Sequence, residues 1–387
     1  MENIRRISSQ IVFPVSSDPV HKGIITVKSD GTILSVEKWR PDCESYNTEF
    51  YNGLIVPGFV NTHCHLELSY LKGIFKEECG MSGFIEQMRA NRDYKSENAI
   101  DAASLYDSKM YKNGISVVAD IINTSHTSSV KKSSKIHYIN FIEVFGLNSK
   151  DADNVIERAE MLKSEFSDSY ITPHALYSIS DDLKDYLKKN LRKNDLSTLH
   201  YLESDSEEEY YKTGNGILAE KLRMLVKELP RFISNGKFNS LVSLFSEETK
   251  LLLVHNTYTG KKDIEEIKKH FPNHFRVICP VSNHFINRRL PDLNLFDSDR
   301  ICIGTDSLAS NHNLCMIAEM LMLQNSYPDI HFSSLLQWAT YNGARALNVE
   351  NNYGTIEPGK KPGLVLIENF DFTNNKLKSN SISKRLV

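Results

Sequence analysis

No two cysteines of this 387-residue chain stand at Cys-x-x-Cys spacing. The six thiols, Cys43, Cys64, Cys79, Cys279, Cys302 and Cys315, are scattered. That argues against a zinc ribbon and against a disulfide framework, and leaves reduced thiols as the default. No run approaches the roughly eighteen apolar residues of a membrane span, and Met1 to Gln10 lacks an apolar core of signal-peptide length. Neither sign of charge is in excess. With 46 Lys and Arg against 49 Asp and Glu, the formal charge is -3, and no global field recruits nucleic acid or an anionic membrane. No internal repeat is visible. These absences lead us to expect a cytoplasmic protein.

What is present is a globular composition, 40% hydrophobic and 25% charged, and a recurrent pattern. Apolar, β-branched-rich runs occupy Leu54 to Val60, Ile115 to Ile122, Ile136 to Val144, Tyr170 to Pro173, Ser197 to Leu202, Lys250 to His255, Phe275 to Cys279 and Ile301 to Thr305. Helical spacing separates many of them. Ala99, Ala103, Tyr106 and Met110 recur before a stop at Gly114, and Leu183, Leu187 and Leu191 follow a cap at Ser180. Near-continuous apolar strands alternating with helices imply a parallel sheet covered by helices. Eight such units close most naturally into an α/β fold of the (β/α)8 TIM-barrel type, with a doubly wound sheet as the competitor. The ends differ. Gly23 to Val27 and Thr32 to Val36 flank Asp30-Gly31 as a hairpin, and Leu364 to Glu368 follows a Gly- and Pro-rich stretch. The expected organisation is a small β-sandwich domain built from residues 1–56 and 354–387 around a barrel at 57–353. Leu335 to Leu347 reads as the last helix, Glu203 to Asn239 as an insertion near the site, and Asn374 to Val387 as a frayed tail.

The stretch Pro57 to Glu67 ends an apolar run with His63 and His65 one residue apart. Alternation along a strand projects both imidazoles to one face, a geometry that suits a divalent metal. Other apolar runs also stop at ionisable residues: His174, His200 with Glu203, His255 and Asp306. Active sites of such folds are assembled at the C-terminal ends of different strands, so metal-type residues at so many of those ends argue jointly for a site.

Pro57-Gly58-Phe59-Val60-Asn61-Thr62-His63-Cys64-His65, His174-Ala175-Leu176-Tyr177-Ser178, His200-Tyr201-Leu202-Glu203, Cys279-Pro280-Val281-Ser282-Asn283, Gly304-Thr305-Asp306 and the Gly354 to Pro362 segment occur in that order. In this the chain resembles the amidohydrolase superfamily, in particular the branch of cytosine, guanine, S-adenosylhomocysteine and aminodeoxyfutalosine deaminases and triazine chlorohydrolases. The resemblance implies that His63, His65, His200 and Asp306 hold one divalent ion, zinc or iron, with Glu203, His255 and Asp306 as catalytic groups. Leu176 and Gly363 depart from the family pattern. Pro173-His174 replaces the bridging lysine of binuclear relatives, which favours a single metal. The resemblance also implies a small-molecule substrate and, since relatives are commonly dimers or larger, a homodimer or larger homo-oligomer.

A divalent metal lowers the pKa of its water toward about 7. Hydrolysis of an aminated ring then needs a proton delivered to a ring nitrogen, a role that suits Glu203, and an oriented nucleophile, which His255 and Asp306 can provide. Glu207, Glu208 and Glu209 read as a solvated helix face. His174 is expected to contact substrate. Glu67, Glu86, Arg89 and Arg288 are weaker substrate-contact candidates, each competing with an ordinary surface charge. Cys279 and Cys302, and Met316, Met320 and Leu323, read as packing residues. The expected function is hydrolytic deamination of an aminated heterocycle of purine nucleoside type. The rivals are hydrolysis of a cyclic amide or displacement of chloride from a ring, and a catalytically inert ligand-binding barrel.

Overall fold

A computed structural model describes residues 4–41, 47–92, 98–191, 196–226, 228–230 and 236–387; Cys43 lies outside the described residues. Strands β1 (Ile4–Val12), β2 (Val20–His21), β3 (Gly23–Lys28), β4 (Ile33–Lys38) and β5 (Thr48–Pro57) come first. Eight more follow with helices between them: β6 (Phe59–Cys64), β7 (Ile115–Ile122), β8 (His137–Val144), β9 (Ser169–Pro173), β10 (Leu196–Tyr201), β11 (Lys250–His255), β12 (Phe275–Ile278) and β13 (Ile301–Ile303). The chain ends with β14 (Leu364–Glu368) and β15 (Ile382–Arg385).

Strands from both ends share one seven-stranded sheet, in the order β15-β14-β5-β1-β3-β4 with β2 on β1. The hairpin expected around Asp30-Gly31 is β3 paired antiparallel with β4. Ile7, Ile25, Ile55, Leu364 and Leu366 form the apolar core of this sheet. The tail expected to fray is instead structured. β15 pairs with β14, and the Arg385 guanidinium donates to the Tyr111 and Ile115 carbonyls and the Ser116 hydroxyl at 2.8 to 2.9 Å. A rigid fork that satisfies backbone carbonyls anchors a polar segment whose composition alone suggests none of this.

Strands β6 to β9 run parallel and in sequence order, as do β10 to β13. Hydrogen bonds link the two groups at both edges. His200 N–H donates to the His174 carbonyl at 2.9 Å, and the Thr305 and Asp306 N–H groups donate to the His63 carbonyl at 3.0 Å. Within each group the strands point the same way, so their C-terminal ends lie at one edge of that sheet. The apolar run Leu54 to Val60 is divided between the two units, with β5 ending at Pro57 and β6 beginning at Phe59. The break falls at Gly58, where a Cβ would collide with the Ser116 hydroxyl and the Pro362 carbonyl.

The expected last helix is two, Phe332–Trp338 and Tyr341–Ala346. Their break has a purpose, because the Ala339 carbonyl it frees accepts the Val60 N–H at 2.8 Å and so braces β6. Among the described residues, no helix is long and apolar enough to cross a membrane.

Replacing Gly58 by alanine forces backbone displacement where the terminal sheet passes into β6. We expect the Gly58→Ala variant to lose roughly 1 to 3 kcal/mol of stability, read as a lowered thermal midpoint. An unchanged midpoint would show that this junction tolerates slack.

Candidate metal-centred active site

His63, near the end of β6, and His65, one residue past it, are both buried. Their Nε2 atoms lie 3.2 Å apart, and Asp306 Oδ1 stands 3.6 Å from the first and 3.4 Å from the second. His200 comes from β10. Its Nδ1 faces the His174 carbonyl at 3.0 Å, and since a carbonyl only accepts, that nitrogen carries the proton and Nε2 keeps its lone pair. Ligand nitrogens of the three histidines fall within 4.8 Å of one another.

Asp306 is aimed by its surroundings. Its Oδ2 accepts from the Ser282 hydroxyl at 2.6 Å and the Ser310 hydroxyl at 2.8 Å, leaving Oδ1 toward the imidazoles. Burial alone would raise this carboxyl, but the His63 hydrogen bond and the neighbouring imidazoles hold it well below the carboxylate range. Burial lowers His63 to about 4 and pushes His65 well below the usual imidazole range. The result is an ionised carboxylate buried among neutral imidazoles, a negative charge that calls for a cation. The spacing fits one. Metal–nitrogen bonds of about 2.0 to 2.1 Å in a tetrahedron put ligand atoms about 3.3 Å apart, close to the 3.2 Å found. Three nitrogens and a carboxylate oxygen form a donor set that zinc or iron accepts.

Glu143, His174 and His200 form a second close group. The His200 Nδ1 proton is committed to the His174 carbonyl, so that nitrogen is not open to another ion.

Across from Asp306 stand Glu203 and His255, with Glu203 Oε1 at 3.4 Å from His255 Nε2. His255 Nδ1 donates to Asn283 Oδ1 at 2.8 Å, while the Asn283 amide returns a bond to the His255 carbonyl at 3.3 Å. His255 Nε2 therefore faces Glu203 with a free lone pair. Burial pushes the Glu203 carboxyl up to about 8, so this acid carries a proton at neutral pH. Leu202, His255, Asn256 and Asp306 all have left-handed backbone, with φ of 47°, 72°, 54° and 58°. For non-glycine residues such strain clusters at functional sites.

A cavity of about 640 Å³ opens beside these groups, and His65, His174, His200, Glu203, His255 and Asp306 line it. Its far wall is apolar. Met81, Phe84, Ile85 and Met88 come from the helix Gly80–Asn91, and Leu218, Leu222 and Leu225 from the helix Ile217–Leu225, within the segment expected to insert near the site. Lys221 ties the two helices by pairing with Glu86 at 2.9 Å. His174 stacks near His200, ring centroids 4.7 Å apart. Arg89 lines the cavity, but three other expected substrate contacts lie off its lining. Glu67 is buried, accepting from the Asn123 and Thr124 N–H groups and the Thr124 hydroxyl and pairing with Arg92; it braces the loop after β7. Glu86 is exposed and paired with Lys221, and Arg288 is exposed and paired with Glu78.

The acidic run corrects another expectation. Glu208 is half-buried and Glu209 exposed, yet Glu207 is buried. Its carboxyl accepts the Leu202 and Glu203 N–H groups, because it sits in the first turn of the helix Asp205–Thr213 and reaches back to donors that would otherwise be orphaned. Glu143, Ser282, Asn283 and Ser310 also belong to the site without having been singled out. Glu143 interrupts the apolar run of β8 one residue before its end, a signal available in the sequence, and Ser282 and Asn283 stand in the Cys279 to Asn283 stretch that carries the family resemblance without having been given roles of their own. Ser310 carries no linear signal.

A family model described as "Amidohydrolase family" matches residues 54–383. An adenosine deaminase of Helicobacter pylori is 26% identical over 355 residues, 87% of this chain and 84% of that protein. An aminodeoxyfutalosine deaminase of Nitratiruptor is 27% identical, covering 88% and 85%. Among solved structures, the aminofutalosine deaminase of Helicobacter pylori in complex with methylthio-coformycin superposes with a TM-score of 0.82 at 22% identity, over 99% of this chain and all of that one. A zinc-bound adenosine deaminase from Xanthomonas campestris gives a TM-score of 0.71 at 19% identity, over 94% and 84%.

A Cβ at Gly304 would stand 2.7 Å from the His63 Cβ. We expect Gly304→Ala to displace this imidazole and weaken metal retention by about 10- to 100-fold, measured as metal per chain after dialysis. Full retention would mean that His63 is not held to its position by this packing.

Proposed function

The chain belongs to the amidohydrolase family, and within it we propose a metal-dependent hydrolytic deaminase that releases ammonia from a purine nucleoside-type compound. The observation that carries this reading is the pairing of the buried Glu203 with His255 across from the nitrogen-and-carboxylate cluster, with burial pushing the Glu203 carboxyl up to about 8. Support for the substrate class comes from relatives named adenosine, aminodeoxyfutalosine and 5-methylthioadenosine/S-adenosylhomocysteine deaminases. With it go the finer architectural expectations: eight strands closed as a (β/α)8 barrel over 57–353, and a small β-sandwich built from 1–56 and 354–387.

A divalent ion held by His63, His65, His200 and Asp306, zinc before iron, supplies an activated water when bound. Asp306 would take up a proton from the attacking water. His255, its Nδ1–H fixed by Asn283, presents the Nε2 lone pair as an acceptor that orients the attack on the ring carbon bearing the amine. Glu203 would hand its proton to the adjacent ring nitrogen, the proton taken up by Asp306 would pass to the amine, the C–N bond would break as ammonia leaves, and the hydroxyl proton remaining on the ring carbon would return to Glu203 as the carbonyl forms. His174 and Arg89 contact the substrate beyond the reacting carbon. The apolar far wall excludes water and receives the uncharged part of the nucleoside.

Ammonia release by the zinc-loaded protein, measured across adenosine-type nucleosides, cytosine, guanine and aminotriazines, should be fastest on the adenosine type. A fully metallated enzyme silent on every aminated ring would refute deamination, and turnover confined to chlorotriazines or cyclic amides would assign the sister chemistry.

Glu203→Gln should keep its metal and lose activity by about 10²- to 10⁴-fold. An active variant would remove Glu203 from the proton path. Stripping the ion with a chelator should abolish turnover, and zinc or iron should restore it.

A further inference from the structure

Resting on the deaminase reading, we propose that Glu207 is the positioning residue of the reaction: it sets the place of Glu203 by clamping the backbone that carries it. Three residues, Leu202, Glu203 and Ser204, connect β10 to the helix Asp205–Thr213. The turn begins at Leu202 with φ 47°, and the N–H groups of Leu202 and Glu203 both meet Glu207. Glu207 Oε1 accepts the Leu202 N–H at 3.1 Å and Oε2 accepts the Glu203 N–H at 2.8 Å.

The carbonyls of the same two residues are also bound. Leu202 accepts from the Tyr258 N–H at 2.9 Å, and Glu203 accepts from the Asn287 side-chain amide at 3.0 Å. Every backbone donor and acceptor of residues 202 and 203 thus has a partner outside the turn, and Glu207 supplies both acceptors. Its own carboxyl does not line the cavity, so it acts on the chemistry through Glu203.

Helix capping alone does not account for this geometry. The N-cap is Ser204, whose hydroxyl accepts the Glu207 N–H at 3.2 Å. In an ordinary capping box the carboxylate three residues on returns to the N–H of the cap residue itself. Here it reaches past Ser204 to the two preceding N–H groups, one of them belonging to the proton-carrying residue.

Glutamine at this position keeps the size but offers one acceptor, and its amide nitrogen would meet the second N–H donor against donor. In zinc-loaded Glu207→Gln we expect kcat per bound metal to fall on the order of 10²-fold, since a misplacement of about 1 Å costs that much. KM should stay within about threefold, because the lost interaction acts in the transition state. Ile25→Ala, truncating a buried residue of the terminal sheet, serves as a control for stability loss and should leave kcat per bound metal unchanged. A Glu207→Gln enzyme within about twofold of the parent, or a loss matched by the control, overturns the proposal. A crystal structure of zinc-loaded Glu207→Gln decides independently of turnover. Glu203 displaced from His255 supports the clamp and Glu203 left in place refutes it, whereas a parent inactive on all aminated rings counts against the deaminase reading alone.

Discussion

The buried charge of Asp306 is the constraint around which the site is organised. Isolating a carboxylate from water costs several kcal/mol even after relaxation, and this one faces imidazoles that burial keeps neutral. Two serine hydroxyls meet one oxygen and lower that cost in part. The other oxygen has no fixed cation, only the Nε2 atoms of His63 and His65 at 3.4 to 3.6 Å. A divalent ion bound there would offset this cost, and the ring nitrogens of His63, His65 and His200 lie close enough together to share it. The tautomer of His200, dictated by the His174 carbonyl, is part of the same arrangement.

The fold makes that convergence possible at modest cost. Parallel strands bring residues as distant in sequence as His63 and Asp306 to one rim, and the hydrogen bonds of the Thr305 and Asp306 N–H groups to the His63 carbonyl tie the last strand segment to the first. At Leu202, His255, Asn256 and Asp306 the chain leaves its strand through left-handed backbone, each position costing on the order of 1 to 3 kcal/mol. Such strain persists only where surrounding contacts over-determine it. Asn283 on His255, Ser282 and Ser310 on Asp306, and Glu207 below Glu203 are those contacts.

The strands were legible because continuous apolar runs survive in any reading of the sequence, and β7 and β11 fall where the runs Ile115 to Ile122 and Lys250 to His255 lie. The histidines and Asp306 were legible because each ends such a run. What escaped is polar and non-local. Glu207 looks like its neighbours Glu208 and Glu209, and only the turn at Leu202 reverses its environment. Glu67 stands two residues beyond His65, yet the donors on the loop after β7 claim its carboxyl before the cavity can. The tail around Arg385 is likewise stabilised by carbonyls more than 260 residues away in sequence. Composition records how many charges a segment has, whereas burial of a charge depends on partners that only the fold supplies.

Two carboxyls in one cavity are driven in opposite directions, and under the proposed mechanism this would divide the chemical labour. Asp306, with hydroxyl donors and imidazoles around it, stays ionised and can receive a proton. Glu203 is buried with little to stabilise its charge, its backbone rather than its carboxyl being hydrogen-bonded by neighbouring residues, and it rises to about 8 and holds a proton to give. Hydrolytic deamination needs both acts, removal of a proton from water and delivery of one to the ring, within a single cycle at one pH. A site whose two acids titrated together would perform one and stall at the other. The separation follows from where the side-chain hydrogen-bond donors are. Ser282 and Ser310 point their hydroxyls at Asp306, while Asn287 and Glu207 grip Glu203 by its main chain and leave its acid group facing His255.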